Sequence, residues 1–113
     1  MKLIQQFKQV LNDIQQHHWN TTLLSEHEAL STAYNSLSPL IDTIAETLIA
    51  HEGPILPFTL KVPSHTTKEL PKAIFDAATS LRDHSENIYP DLVNLSDEVT
   101  AIGSKLLYFY RLS

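Results

Sequence analysis

Hydrophobic residues recur every three or four positions along most of this sequence, which is the spacing of one face of an α-helix. A first helix is predicted from the apolar stripe that begins at Ile4 and reaches His18. A second is predicted after a capping box formed by Ser25 and Glu28, and it should end near Gly53. Its stripe alternates between steps of three and four without a break: His27, Leu30, Tyr34, Leu37, Ile41, Ile44 and Leu48.

Residues 52–66 depart from this periodicity. Pro54, Pro57 and Pro63 interrupt the segment, and apolar and polar residues alternate between positions 58 and 62, which predicts an extended chain. About 15 residues at about 3.3 Å each reach about 50 Å, enough to run the length of a helical bundle. A capping box of Thr66 and Glu69 is predicted to begin the next helix.

Two further helices are predicted after this connection. The third carries Ile74, Leu81, His84 and Ile88 on one face, and the chain then breaks at residues 89–91. The fourth has the most regular stripe in the sequence: Leu92, Leu95, Val99, Ile102, Leu106 and Phe109.

These elements predict an all-α fold, an antiparallel four-helix bundle in which residues 1–113 form a single domain. The long connection would let helices two and three run parallel, which is the ferritin-like topology. Short links throughout would instead give an up-down bundle. We expect the ferritin-like form, with one long crossover between helices two and three.

Composition narrows the functional classes. The net charge of -5 and the pI near 5.6 argue against binding to a nucleic-acid backbone. The sequence contains no cysteine, which excludes disulfides, thiolate metal sites and cysteine nucleophiles. It has no apolar run of transmembrane length and no signal-peptide pattern at its start, so we expect a cytoplasmic protein with no membrane partner.

Two pairs of side chains are candidates for metal chemistry. His18 ends the stripe of helix one and His27 begins that of helix two, so the two should face each other across the first hairpin. A structural pair, satisfied by backbone carbonyls or a carboxylate, is the alternative. Asp42 and Glu46 lie four apart on one face of helix two, rotated by about 100–140° from its core stripe. The alternative there is a solvated acidic edge.

One chain cannot bring these two pairs to one metal ion. His27 and Asp42 are 15 residues apart on the same helix, a rise of about 22 Å, whereas metal–ligand bonds are about 2.0–2.2 Å. If two copies pack helix two against helix two in antiparallel orientation, the histidines of each copy meet the carboxylates of the other, giving two equivalent sites. Mixed imidazole and carboxylate ligands suit Fe, Mn or Zn.

The segments that carry these residues read HWN at positions 18–20, HE at 27–28 and IDTIAE at 41–46. This pattern resembles the Dps-like branch of the ferritin superfamily. The short interval from His18 to His27 and the segment DLVNLSDE at 91–98 are closer still to small uncharacterised phage proteins related to that branch. The resemblance implies iron at an inter-subunit ferroxidase centre, with His18 and His27 from one subunit and Asp42 and Glu46 from its neighbour.

Two departures from the family pattern limit what the resemblance implies. Ser31 stands where the family places a further carboxylate, so any ferroxidase activity should be weak. The family's basic N-terminal tail has no counterpart before helix one, so no DNA compaction is expected.

Three functions stay open at this point. The first is an oligomeric, Dps-like metal-binding protein that uses His18, His27, Asp42 and Glu46, located in the host cytoplasm if phage-encoded. The second is a non-catalytic helical oligomer that serves as a structural or interaction module. The third is an oligomer that sequesters a small ligand at its subunit interface or engages a host protein.

Overall fold

The chain folds into four α-helices in a computed structural model, which describes residues 2–112. No strand occurs in this part of the chain, so the predicted all-α class is confirmed. A short 3₁₀ helix, Thr67–Glu69, leads into the third α-helix. The α-helices are α1 (Lys2–Asn20), α2 (Leu24–Glu52), α3 (Leu70–Ser85) and α4 (Pro90–Leu112).

The ends of α2 and the start of α3 follow local sequence signals, with one exception. Helix α2 ends before Gly53, whose φ of 92° is a left-handed conformation that glycine adopts easily. The Thr66–Glu69 capping box is present as predicted. The capping box predicted at Ser25 is wrong, because α2 already begins at Leu24 and Ser25 lies within its first turn. The hydroxyl of Thr21 instead accepts the N–H of Leu23 and donates to Glu26.

Helices α2 and α3 run in the same direction. The C-terminal residue of α2, Glu52, lies 2.8 Å from His84 in the last turn of α3. Helices α1 and α4 each pack on both α2 and α3, which places α2 and α3 on a diagonal of the bundle. Residues 53–66 form the extended connection that this arrangement requires, in a molecule 42 Å long.

A buried carboxylate fastens the connection to α1. Asp13 is fully buried and its side chain accepts hydrogen bonds from the backbone N–H of Ser64 and His65, both at 3.1 Å. The imidazole of His65 adds a contact of 2.7 Å to the same oxygen. Gln5 and Gln9 donate to the carbonyls of residues 59 and 61, so the connection runs alongside α1 in the direction of α1.

The core consists of the apolar stripes that the sequence predicts, apart from the histidines at the first hairpin and the end of the third stripe: His27 is exposed and His18 is only partly buried. Ile74 and Leu81 are buried, but Ile88 lies in the turn after α3 and is 62% exposed. Pro39 lies at an exposed position inside α2, which continues through it. No helix between residues 2 and 112 is long and apolar enough to cross a membrane. The largest fully buried side chains are Phe7, Ile14, Leu30, Leu37, Ile44, Leu48, Leu70, Ile74, Leu81 and Leu92.

Candidate functional site

The two histidines of the first hairpin lie in direct contact. The rings of His18 and His27 are stacked, with their centroids 3.9 Å apart and their planes 23° from parallel. The Nδ1 atom of each lies 2.9 Å from the backbone carbonyl of the other. Because a carbonyl only accepts, both Nδ1 atoms carry the hydrogen, and in a neutral ring Nε2 is then left with a free lone pair.

This pair lies beyond the end of the core rather than within it. His27 is exposed and His18 is partly exposed, whereas Ile14 and Leu30 are the last fully buried residues of the two stripes. The hydrogen bonds to backbone carbonyls are those expected if the two histidines have a purely structural role. They also fix the ring tautomers in the way that backbone carbonyls do for metal-ligating histidines. The geometry is therefore compatible with both alternatives.

The carboxylates of Asp42 and Glu46 are exposed on the outer face of α2. Within the described residues neither makes a hydrogen bond or an ion pair. They lie on the face of α2 away from the core, and the histidine pair lies at the other end of the helix. Between residues 2 and 112, no three His, Asp or Glu side chains converge on a position for a metal ion. The chain thus carries two separate groups of candidate ligands.

A second polar cluster, which the sequence did not predict, lies at the opposite end of the bundle. His84 was predicted on the apolar face of the third helix, but it is exposed and its Nε2 lies 2.8 Å from a carboxylate oxygen of Glu52. The hydrogen bond from His84 lowers the pKa of Glu52, burial opposes this shift, and a bond from Tyr89 adds to it. This contact places the last turn of α3 beside the last turn of α2.

His51 completes this second cluster. Its ring stacks on that of Tyr89, with centroids 4.4 Å apart. The sequence assigned no role to His51, because it was expected at an exposed or loop position. The sequence did contain a signal for this cluster. If α2 and α3 run parallel, residues 51–52 at the end of α2 and residues 84–89 at the end of α3 must lie at the same end of the bundle.

Apolar side chains surround the histidine hairpin. Trp19, Leu23 and Leu24 are 65%, 62% and 72% exposed, and they are close neighbours in sequence at the tip of the hairpin. The buried hydroxyl of Tyr110 lies at the same end, where burial and then Glu26 raise its pKa. Three large apolar side chains at a single tip are typical of a contact surface.

Comparison with known proteins gives one match. A family model described as a family of unknown function, DUF5856, matches residues 18–110. No curated protein and no solved structure matches the chain. The family description refers neither to metal nor to ferritins, so the Dps-like resemblance stays a prediction.

Proposed function

The chain belongs to the DUF5856 family of unknown function, and we propose that it is an oligomeric, Dps-like metal-binding protein. Its metal site would lie between subunits, with His18 and His27 from one copy and Asp42 and Glu46 from the next. The parallel course of α2 and α3, joined by an extended connection, supports a ferritin-like topology for the bundle.

The observation that carries this proposal is the state of the two imidazoles. Each Nδ1 donates to a backbone carbonyl, which leaves the Nε2 lone pair of each neutral ring available to a metal, on side chains that are exposed (His27) or partly exposed (His18). Metal-ligating histidines in proteins almost always donate their second ring N–H to such an acceptor. A structural pair does not require this outward placement, since the same bonds could form with the rings buried.

The outer face of α2 offers a surface on which two copies could meet. Leu24 and Asp42 are 18 residues apart, which is about five helical turns, so they share one face. Ile49, 43% exposed, lies two turns beyond Asp42 on nearly the same line. In an antiparallel pair with its two-fold axis near Asn35, each Leu24 would approach Ile49 of the other copy. The histidine end of each α2 would then face the partner's carboxylates.

The stacked rings limit how one ion can bind. Each imidazole lone pair lies in its own ring plane, and the two planes are nearly parallel at a centroid distance of 3.9 Å. One ion can therefore lie in the plane of only one ring at a time. We infer that one imidazole would hold the ion while it keeps its carbonyl bond, that the other could join only by leaving the stack, and that the partner's Asp42 and Glu46 would supply oxygen ligands.

Iron, zinc and manganese all suit this mixture of nitrogen and oxygen ligands. Bound iron would supply one-electron chemistry, whereas zinc would supply none. Ser31 offers no carboxylate to bridge two ions, so we propose that the protein binds metal and oxidises iron weakly at most.

Metal content tests this proposal directly. Untagged protein is loaded with Fe(II) under argon or with Zn(II), desalted and analysed for metal and for mass. We expect retained metal in the wild type and loss of metal in both His27→Ala and Asp42→Ala. Asp83→Ala, at an exposed acid on α3, is the matched control and should retain metal. If aerobic Fe(II) oxidation proceeds at the same rate with and without protein, the protein has no ferroxidase activity.

A mixing experiment tests whether the site lies between subunits. His27→Ala and Asp42→Ala chains are unfolded and refolded together. In a mixed dimer, one site has an intact His27 and the partner's intact Asp42. We expect about one quarter of the wild-type metal content to return after random pairing. If metal does not return although mixed dimers form, the inter-subunit site is wrong.

The hairpin tip favours a second candidate function, a non-catalytic interaction module. Trp19, Leu23 and Leu24 form an exposed apolar surface that a partner protein could cover. This candidate predicts that the oligomer forms without metal and that His18→Leu stabilises the chain. Loss of metal from the His27→Ala variant, with mass unchanged, would favour the metal site over this module.

A further inference from the structure

A groove between α2 and α4 lies apart from both polar clusters described above. Its floor is formed by the buried apolar residues Ala33, Ile102 and Leu106. Its volume is about 260 Å³, a little below the range of about 300–1,000 Å³ for drug-sized ligands, so it suits a smaller molecule. The groove exists because α2 presents only small side chains at this level: Ala29, Thr32, Ala33 and Ser36.

Three polar side chains at the rim have no partner in the described chain. The hydroxyls of Thr32 and Ser36 and the ammonium of Lys105 line the groove, and none makes a hydrogen bond or an ion pair between residues 2 and 112. Thr43 and Thr47, on the same helix, both donate to carbonyls four residues earlier. The rim hydroxyls and Lys105 are therefore free to bind a ligand.

We propose that this groove binds a small amphipathic carboxylate. Its apolar body would lie on Ala33, Ile102 and Leu106, and its carboxylate would bind Lys105 and the two rim hydroxyls. The charges favour this chemistry, because one cation complements a single negative charge, while a phosphate dianion normally requires more than one. The groove shares no residue with the proposed metal site, so this inference does not depend on it.

The probe is octanoate, added to the metal-free, full-length, ¹⁵N-labelled protein and followed by NMR. We expect saturable shifts confined to the amides of residues 29–36 and 102–106, with a dissociation constant on the order of 1 mM or tighter. Octanol, which has the apolar chain without the carboxylate, should bind about 1.5- to 5-fold more weakly. Acetate, which has the head alone, should produce no saturable shift.

Two variants test separately the binding of the carboxylate and the binding of the apolar chain of the ligand. Lys105→Gln should weaken octanoate to the affinity of octanol and leave octanol unchanged. Ser36→Leu, at an exposed helical position, should fill the groove and abolish both. Lys72→Gln makes the same change, and Thr79→Leu a comparable one, at exposed positions of α3; both variants should bind octanoate and octanol as the wild type does.

Three results would overturn the proposal. One is the absence of groove shifts at 10 mM octanoate (about tenfold above the expected constant). Another is equal octanoate affinity in Lys105→Gln and the wild type. The third is a groove whose signals move with protein concentration and not with octanoate, which would show that a second copy covers it. Repeating the titration with His27→Ala keeps the outcome separate from that of the metal site, since octanoate should bind this variant as it binds the wild type.

Discussion

At the scale of single residues, Asp13 is the side chain that most clearly joins two parts of the chain. One of its oxygens accepts from Gln9, and the other accepts from Ser64 and His65 of the connection. The Nε2 of His17, one turn later, contacts the carbonyl of His65 at 2.7 Å. A fully buried carboxylate is tolerated here because every donor around it belongs to the connection or to α1.

Asp13→Asn should destabilise the fold by about 2–4 kcal/mol, because it turns an acceptor into a donor that faces buried N–H groups. Urea denaturation measures the loss. Hydrogen exchange should also show faster exchange at the amides of Ser64 and His65 than in the wild type. Asp83→Asn, at an exposed acid that makes no hydrogen bond or ion pair between residues 2 and 112, should change neither measurement. Equal stability of Asp13→Asn and wild type would show that the carboxylate does not hold the connection.

Glu52 gives a pH-dependent prediction at the other end of the bundle. The hydrogen bond from His84 keeps its folded-state pKa below the ordinary value of 4.5. Ionised Glu52 therefore stabilises the fold above pH 4.5, and this contribution disappears as the pH falls through the folded-state pKa.

Glu52→Gln should accordingly lower the stability by about 0.2–1 kcal/mol at neutral pH, since the pair is partly exposed. The difference in melting temperature from the wild type should shrink as the pH is lowered through the acid range. Glu28→Gln, on the exposed face of the same helix, controls for the removal of one negative charge. A difference that stays constant down to pH 3 would contradict the assigned cause.

At the scale of helices, the approach of α3 to α4 depends on one glycine. A Cβ atom at Gly103 would lie 2.7 Å from Cε1 of Phe75 and 3.1 Å from Cγ2 of Ile74. Glycine normally weakens a helix by about 1 kcal/mol relative to alanine. Its presence in α4 is explained by the close contact that it permits.

Gly103→Ala should therefore destabilise the wild type by about 1–2 kcal/mol, because overpacking exceeds the gain in helix propensity. In a Phe75→Ala background the ring is absent, and the same substitution should become neutral or stabilising. A double-mutant cycle by urea denaturation measures the coupling. Additive effects would show that Phe75 moves aside without cost.

At the scale of the whole molecule, the proposed function requires that two copies meet on the outer face of α2. Leu24 and Leu56 are nearly equally exposed, at 72% and 70%. Leu24 lies on the outer face of α2 with Asp42, whereas Leu56 lies on the connection. The two leucines therefore form a matched pair for testing the proposed interface.

Leu24→Glu should weaken self-association at least tenfold, because it places a charge in the apolar part of the interface (about 1.4 kcal/mol or more). A glutamate in the first turn of α2 also favours the helix, so folding should be unaffected. Sedimentation over a range of concentrations measures the change. Leu56→Glu should associate like the wild type. If both variants dissociate equally, α2 does not form the interface.

Much of the fold follows from the spacing of apolar residues. The four stripes, the extended connection and the Thr66–Glu69 capping box were all predictable, because helical periodicity and capping are local properties of the chain. The start of α2 was misplaced by two residues, because Ser25 is a good capping residue by type, whereas the helix begins at Leu24 after Leu23, which makes no side-chain cap. Residue type alone does not show at which of these positions the helix begins.

The sequence by itself determined that this chain forms four helices, that its first hairpin brings His18 and His27 together, and that Asp42 and Glu46 face outward. Each of these follows from residues close together in sequence. Only the tertiary structure decided that Asp13 accepts from His65, that His84 pairs with Glu52, and that small residues of α2 leave a groove against α4. Asp13 and His65 are 52 positions apart, Glu52 and His84 are 32 apart, and the groove joins residues at least 66 apart. These contacts depend on how the helices pack, and the apolar stripes do not specify which polar side chains then meet.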